Sequence, residues 1–541
     1  MKRLLALIPI PILKRDRVKS SWSRPTTPIH RCCSRSESKD VFRWVLRFTV
    51  LVLLCSANTS LHAQVKLASI FSDNMVLQQN QQVKIWGTAP AGNPVTVKAS
   101  WNETVSTRTN DKGQWEAYLT TPQAGANSYE LSIVSNQNTV TLKNVVTGEV
   151  WFCSGQSNMN FQLRRSKGVQ QDTMLANNPQ IRLFRSGKTG WQVSTYDIAK
   201  DFSAVGFYFG LSIHQKLNVP VGLIQSTVGG SPAEAWTPLE TLQNDPTLKV
   251  VVDRWNQWLA DYNATDSSAY NAALKQWEAN GKRGIEPLMP RSVYSIKRYH
   301  HQRGILFEDK VKPFIPFAIK GVIWYQGEGN VEWGNEYEHL FSSLITAWRS
   351  AWGQGDFPFF FVQIPPYNYP DRFGKNRCLQ TPILREGQNR AQTLPNTGMV
   401  CTMDIGDPNN VHPNIKKPVG ERLALIALAK TYGFNTIEYS GPTFRRCSVT
   451  GPIVTVEFDH TAQGLVARDG SAKWFELAGP DGVFHPATAA LEGHKAIVSS
   501  DSVTEPMKIR YAWLSASITN VFNTEGLPAV PFLVDTIGMS Q

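Results

Sequence analysis

Hydrophobic and polar positions follow two different rules along this chain. Over residues 65–148 they alternate in short runs, Val83-Lys84-Ile85-Trp86-Gly87 and Val95-Thr96-Val97-Lys98-Ala99. Turn clusters separate the runs, at Ala89-Pro90-Ala91-Gly92-Asn93 and Asn110-Asp111-Lys112-Gly113. A period of two with a turn about every ten residues predicts a β-sandwich. From residue 149 the apolar runs become nearly continuous, at 149–153, 219–226, 319–325, 359–364 and 398–403. They alternate with helical patterns at 204–216, 337–352 and 419–430. The second of these is the clearest, with Leu340, Phe341, Leu344, Ile345 and Trp348 on one face. Strands without polar alternation are buried on both sides, which predicts an α/β fold with a parallel, doubly covered sheet. Residues 240–315 are polar and Trp-rich and read as a largely helical insertion forming part of a cleft. From about 440 the chain returns to short strands, such as 453–458 and 473–477. The expected organisation is a leader at 1–63, a sandwich-like module at 64–148, an α/β domain at 149–438 and a β-rich module at 439–541.

Length and composition agree with several packed domains. A chain of 541 residues exceeds what one growing core supports, and 42% apolar residues with 17 Trp and 25 Phe exclude a disordered polymer. The net charge of +12 suggests an acidic partner until its position is noted. Residues 1–47 hold 12 Lys/Arg against 3 Asp/Glu, a net +9, and the remainder is nearly neutral. Nucleic acid is therefore not expected as a partner. The basic stretch leads into an apolar run at 48–55 and ends at Leu61-His62-Ala63, the pattern of a secretory signal with an imperfect cleavage site. About ten apolar residues are too few for a permanent span, and no later run reaches the roughly 18 that a membrane helix needs. Cys55 as a lipid anchor is disfavoured by the bulky Leu54 before it. An exported protein, periplasmic or extracellular and soluble, is expected. Four cysteines remain beyond the leader, Cys153, Cys378, Cys401 and Cys447, without zinc-ligand spacing or the density of a disulfide framework.

Ligands of an open parallel sheet gather beyond the carboxyl ends of its strands. The first predicted strand ends in Gly155-Gln156-Ser157-Asn158-Met159, a serine on a tight turn where hydrolases present a nucleophile. A serine that merely hydrogen-bonds its own turn is the competing reading. Later strand ends supply Gly229-Gly230-Ser231, then Gln326-Gly327-Glu328-Gly329-Asn330, then the segment from Asp404 through Asp407 and Asn409 to His412-Pro413. Each has a bland reading: a flexible glycine turn, a solvated Glu328, a capping Asn330, a surface His412. Together they offer a nucleophile, a base and N–H donors, the set that acyl transfer needs, with no cofactor or metal. The elbow of α/β-hydrolases fits poorly, because Met159 stands where that motif requires glycine.

The blocks at 155–159, 231–236 (Ser-Pro-Ala-Glu-Ala-Trp), 324–330 (Trp-Tyr-Gln-Gly-Glu-Gly-Asn) and 404–413, in this order, resemble the sialate O-acetylesterases. That family belongs to the SGNH-hydrolase superfamily and is related to acetyl-xylan esterases. The resemblance runs from about residue 65 to the C-terminus. It implies an SGNH-type three-layer parallel-sheet domain flanked by β-rich modules. It also implies removal of O-acetyl groups from carbohydrate, O-acetylated sialic acid first and acetyl-xylan or another glycan second. Ser157 would be the nucleophile and His412 the general base. The Ser157 amide, Gly230 and the Asn330 side chain would form the oxyanion hole. Many SGNH members carry Asp three residues before the histidine, but here Asn409 stands there, and an amide cannot neutralise an imidazolium. Glu328 is the expected orienting carboxylate, by analogy with related xylan esterases. Asp404, Asp407 or a backbone carbonyl are the alternatives. Gly329 and Gly387 also depart from the family pattern and add backbone freedom. A catalytically silent glycan-binding protein is the reading of another class.

Overall fold

One strand of eighteen residues, β1 (Asn138–Gly155), belongs to two sheets. The computed structural model describes residues 64–536 except Thr189, Ile285, Arg372, Phe373 and Lys375. The stretch 1–63, with the expected signal and cleavage site and Cys55, lies outside the described residues. The first part of β1 pairs antiparallel with Tyr129–Ser135 in a β-rich region whose strands begin at Lys66. Its second part, from Glu149 to Gly155, lies at the centre of a parallel sheet. The division expected at 148/149 therefore falls inside a continuous strand. Burial explains the change of role, since alternation ends at Asn144 and every residue from Val145 to Gly155 is buried.

The other strands of the parallel sheet are β2 (Asn178–Arg185), β3 (Val221–Thr227), β4 (Gly321–Tyr325), β5 (Phe359–Val362) and β6 (Thr397–Val400). Their spatial order is β2-β3-β1-β4-β5-β6, with Gln192–Ser194 antiparallel along the outer edge of β2. Alternate side chains go to opposite faces. Val150, Phe152, Val322 and Trp324 join one core, while Trp151, Cys153, Ile323 and Tyr325 join the other. Both faces being dry, neither set is polar, and the runs read as continuous.

Four helices matter for the site: α1 (Ala204–Leu217), α2 (Gly334–Trp352), α3 (Arg377–Arg390) and α4 (Lys417–Lys430). Ser203 caps α1 by accepting a hydrogen bond from the Gly206 amide at 3.0 Å, and Asn218 ends it at φ 54°. The predicted apolar face of α2 packs Leu340, Phe341, Leu344, Ile345 and Trp348 into the first core. The second core lies under α1 and α4. These two helices touch so closely at Gly420 that a Cβ there would sit 2.6 Å from the Val205 carbonyl oxygen.

Two elements escaped the hydrophobic pattern. In β2, Pro179, Arg182 and Arg185 interrupt the apolar run, yet Arg182 is buried and donates to the carbonyls of Pro179, Asn74 and Asn144. In α3, Pro382 and Gly387 conceal a helix. Its Arg385 is fully buried, with hydrogen bonds to the carbonyls of Ile364, Pro365, Leu514 and Ser515. The last two belong to the C-terminal region, which contributes a seven-stranded antiparallel sheet. The insertion is helical over Leu239–Asn244, Lys249–Ala264, Ser268–Ala279 and Arg291–Ile296, as expected. The four described cysteines are unbonded, and Cys153 is a fully buried apolar side chain. Among the described residues no helix is long and apolar enough to cross a membrane.

Candidate active site

Strand order reverses beside β1, because β3 lies on one side of it and β4 on the other. A crevice forms at such a point beyond the strand ends. Here it is a cleft of about 480 Å³ whose lining includes Ser157, Gly230, Glu328 and His412. The turn that presents Ser157 begins at Gly155, where φ is 129° and a Cβ would sit 2.2 Å from the Tyr325 carbonyl oxygen. Only glycine tolerates both conditions. Gln156 then crosses to the neighbouring strand end. Its amide donates to the Tyr325 oxygen at 2.9 Å, and its side-chain oxygen accepts from the Gly329 amide at 3.1 Å.

Ser157 Oγ lies 2.7 Å from His412 Nε2, across 255 positions of sequence. Both side chains are half-buried, open to the cleft on one side. Burial, then the neighbouring Lys416 and Arg165 charges, hold the His412 pKa below its ordinary value. The imidazole is thus neutral and can accept the serine proton. Gly230 has φ 70°, and its carbonyl accepts a hydrogen bond from His301 Nε2 at 3.2 Å. His301 is kept neutral, its pKa pushed down to about 3 by burial and then by His300, Arg298 and Arg291. The backbone N–H groups of Ser157 and Gly230 have no acceptor among the described residues, so both are available as donors at the cleft.

The remaining expected residues are placed differently. Asn330 is buried and is not among the lining residues. Its Nδ2 donates to Glu234 Oε2 at 2.7 Å, while its Oδ1 accepts from the Ala233 amide and from Gln326 Nε2. Glu328 reaches the cleft wall, but its Oε1 accepts from Asn158 Nδ2 rather than from the imidazole. Asp404 forms a two-pronged ion pair with Arg422 at 2.8 and 2.6 Å. Asp407 accepts from the Asn409 amide, a local turn bond. None of Glu328, Asp404, Asp407 or Asn409 hydrogen-bonds His412, and its Nδ1 has no partner among the described residues. The expectation of a carboxylate on that nitrogen is corrected accordingly: Asp404 and Asp407 are committed elsewhere, and Glu328 bonds Asn158 rather than the imidazole.

Sequence reasoning missed Asn158 and Lys416, both fully buried, and the insertion residues Arg291, Arg298 and His301 of the cleft wall. Asn158 stood in the quoted turn without a role. Lys416 gave no signal, because a lysine before a helix normally reads as solvated surface. Arg298 stacks on Tyr294 with its guanidinium 4.1 Å from the ring centre and has no carboxylate partner among the described residues. No group of three or more His, Cys, Asp or Glu that could hold a metal occurs among the described residues.

Comparison with known proteins gives a consistent likeness. A family described as carbohydrate esterase, sialic acid-specific acetylesterase matches residues 147–286 and 290–429. The sialate O-acetylesterase of Rattus norvegicus is 26% identical over 89% of this chain and 97% of its own length. That of Homo sapiens is 26% identical over 73% and 76%. A carbohydrate acetylesterase from Xanthomonas citri, solved by crystallography, superposes with a TM-score of 0.73 at 29% identity, covering 87% of this chain and all of that one.

Proposed function

We propose that this chain, which belongs to the sialic acid-specific acetylesterase family of carbohydrate esterases, cleaves O-acetyl groups from carbohydrate through an acetyl-enzyme. The observation that carries the reading is the 2.7 Å contact between Ser157 Oγ and a neutral His412 Nε2 in the cleft. In the first half-reaction His412 takes the hydroxyl proton as Oγ attacks the acetyl carbon. The amides of Ser157 and Gly230 receive the oxyanion, and His412 returns the proton to the departing sugar oxygen. In the second, His412 deprotonates water, which attacks the acetyl-serine and releases acetate. Asn330 supports the turn after β3 from behind the cleft.

The preferred substrate is an O-acetylated sialic acid, and acetyl-xylan or another glycan is second. What favours the first is Arg298, a cation on the cleft wall without an acidic partner, suited to a sugar carboxylate. The parallel sheet with helices on both faces supports an SGNH-type three-layer domain with β-rich modules on either side. The proposed divisions remain 64–148, 149–438 with its insertion at 240–315, and 439–541. The leader at 1–63 is proposed to export the protein to the periplasm or medium.

4-Nitrophenyl acetate tests the mechanism. Native protein is expected to release nitrophenol, with Ser157→Ala and His412→Ala at least about 10³-fold slower. Equal rates in native and Ser157→Ala protein would remove Ser157 from the reaction. Acetate release from O-acetyl sialoglycoprotein and from acetyl-xylan, measured side by side, decides the sugar. No release from any acetylated glycan would favour a silent binding protein.

A further inference from the structure

His412 meets Ser157 at hydrogen-bond distance although no acid among the described residues holds its other nitrogen. The contacts that fix its loop are on the far side of the nucleophile's turn. Asn158, next to Ser157 and 0% exposed, donates through Nδ2 to Glu328 Oε1 at 2.5 Å and to the Val411 carbonyl oxygen at 3.0 Å. Its Oδ1 accepts from Lys416 Nζ at 2.6 Å. Val411 and Lys416 lie on either side of His412, on the loop from β6 to α4. One amide therefore joins the ends of β1 and β4 to the loop that carries the imidazole.

Lys416 is costly where it stands. It is fully buried, and it sits at the N-terminus of α4, where the helix dipole disfavours a cation. Among the described residues only Asn158 Oδ1 accepts a hydrogen bond from its Nζ, and the rings of Phe161 and Tyr325 lie 5.0 and 5.4 Å from Nζ. Burial pulls its pKa down to about 7, opposed by the Glu328 charge, and burial raises that of Glu328. Glu328 Oε2 has no partner among the described residues. Lys416, protonated below about pH 7, and the Glu328 carboxyl thus grip opposite ends of one amide, and the lysine bond is charge-assisted while the ammonium is protonated.

We propose that Asn158, held between Lys416 and Glu328, is the positioning residue that keeps the His412 loop on Ser157, in place of a carboxylate bonded to the imidazole. The inference rests on the serine mechanism proposed above. It also gives Glu328 a task one step removed from the one expected of it. The charged or titratable groups around His412 are the buried Lys416 and the exposed Arg165, and, lining the cleft, Glu328, Glu332, Arg291, Arg298, His301, Arg377, Tyr294, Tyr367 and Tyr369.

The test uses full-length protein, 4-nitrophenyl acetate and rates per active site titrated with a serine-directed phosphonate. Lys416→Met keeps length and removes charge and hydrogen bond. It is expected to lower kcat on the order of 10²-fold at nearly constant KM, the cost of a misplaced group. Its acid limb of kcat/KM should move to higher pH, because a cation that depresses the His412 pKa is gone. Lys416→Arg should recover most of kcat. Glu328→Gln keeps volume and an amide oxygen for Asn158 and does not depend on how Lys416→Met folds. It is expected to stay within about tenfold of native kcat, whereas a carboxylate bonded directly to the imidazole would make the loss about 10⁴-fold. A Glu328→Gln loss of that size overturns the proposal. So does a Lys416→Met enzyme with native kcat and acid limb while Ser157→Ala is inactive. If Ser157→Ala retains activity, the serine mechanism itself fails, and the proposal with it.

Discussion

At the scale of single residues the proposed chemistry and the proposed recognition come from different parts of the cleft. Ser157 and His412 come from the turn after β1 and the loop before α4, both anchored to the sheet. Arg298 comes from the insertion, outside the strand pattern. A carboxylate on the bound sugar would exchange water for the Arg298 guanidinium, a charge-assisted interaction of about 1.5–3 kcal/mol. Arg298→Gln is therefore expected to lower kcat/KM for an O-acetylated sialic acid by about 10- to 100-fold relative to kcat/KM for 4-nitrophenyl acetate. The ratio of the two constants, native against variant, is the measurement. A ratio that does not move would take Arg298 out of substrate selection. Ser157, Gly230 and His412 were legible because strand ends are where an open sheet keeps its site. The partner of His412 was not, because Glu328, Asp404 and Asp407 are equivalent on paper. Glu328 is committed to Asn158 by a contact across the fold, Asp404 to Arg422 on the following helix, and Asp407 to the turn of its own loop, none of which the bare sequence distinguishes.

At the scale of elements, α4 links the second core to the loop that carries His412. Its first residue follows Lys416 directly, and Gly420, one turn on, rests against the backbone of α1. A Cβ at Gly420 would approach the Val205 oxygen at 2.6 Å and the Phe209 nitrogen at 2.8 Å, distances no flexible side chain can relieve. Gly420→Ala is expected to cost about 1–3 kcal/mol by overpacking. It should also lower kcat, since the shift begins four residues from Lys416. Thermal unfolding and steady-state rates measured on one preparation check both effects, and an unchanged melting midpoint would refute the tight contact. The strands β1, β3, β4, β5 and β6 and the helices α1, α2 and α4 were readable from periodicity. β2 and α3 were not. Their buried arginines bond to backbone carbonyls that only the folded chain brings near, so a polar symbol in the sequence marks an interior position.

At the scale of the molecule, no linker separates the N-terminal strands from the parallel sheet. The switch from alternating to continuous apolar pattern was visible at residue 149, but a change of pattern looks the same whether a chain breaks or passes straight from one sheet to the next. The first core runs from Val83 and Trp115 in the N-terminal strands through Phe152 to Trp348 under the sheet. Unfolding of either part would strip the other of packing. A chain of residues 64–541 is expected to melt in one transition, with tryptophan fluorescence and loss of esterase activity coinciding. Two resolved calorimetric transitions, the first leaving activity intact, would show that the parts are separable.

The continuity of β1 also restricts how this architecture could be rearranged, by evolution or by design. Sandwich-like regions are often exchanged between enzymes at linkers, where spacing is free. Here the joint is a β-ladder, and its phase is fixed by which side of the sheet each residue faces. One extra residue between Val146 and Glu149 would turn Trp151 and Cys153 toward the core now filled by Val150 and Phe152, inverting the sheet's central strand. Two extra residues would restore the facing but advance Ser157 by about 6–7 Å, past His412. A functional graft at this joint must therefore keep both parity and length, so homologous exchange by substitution is open to this chain and modular exchange by insertion is not.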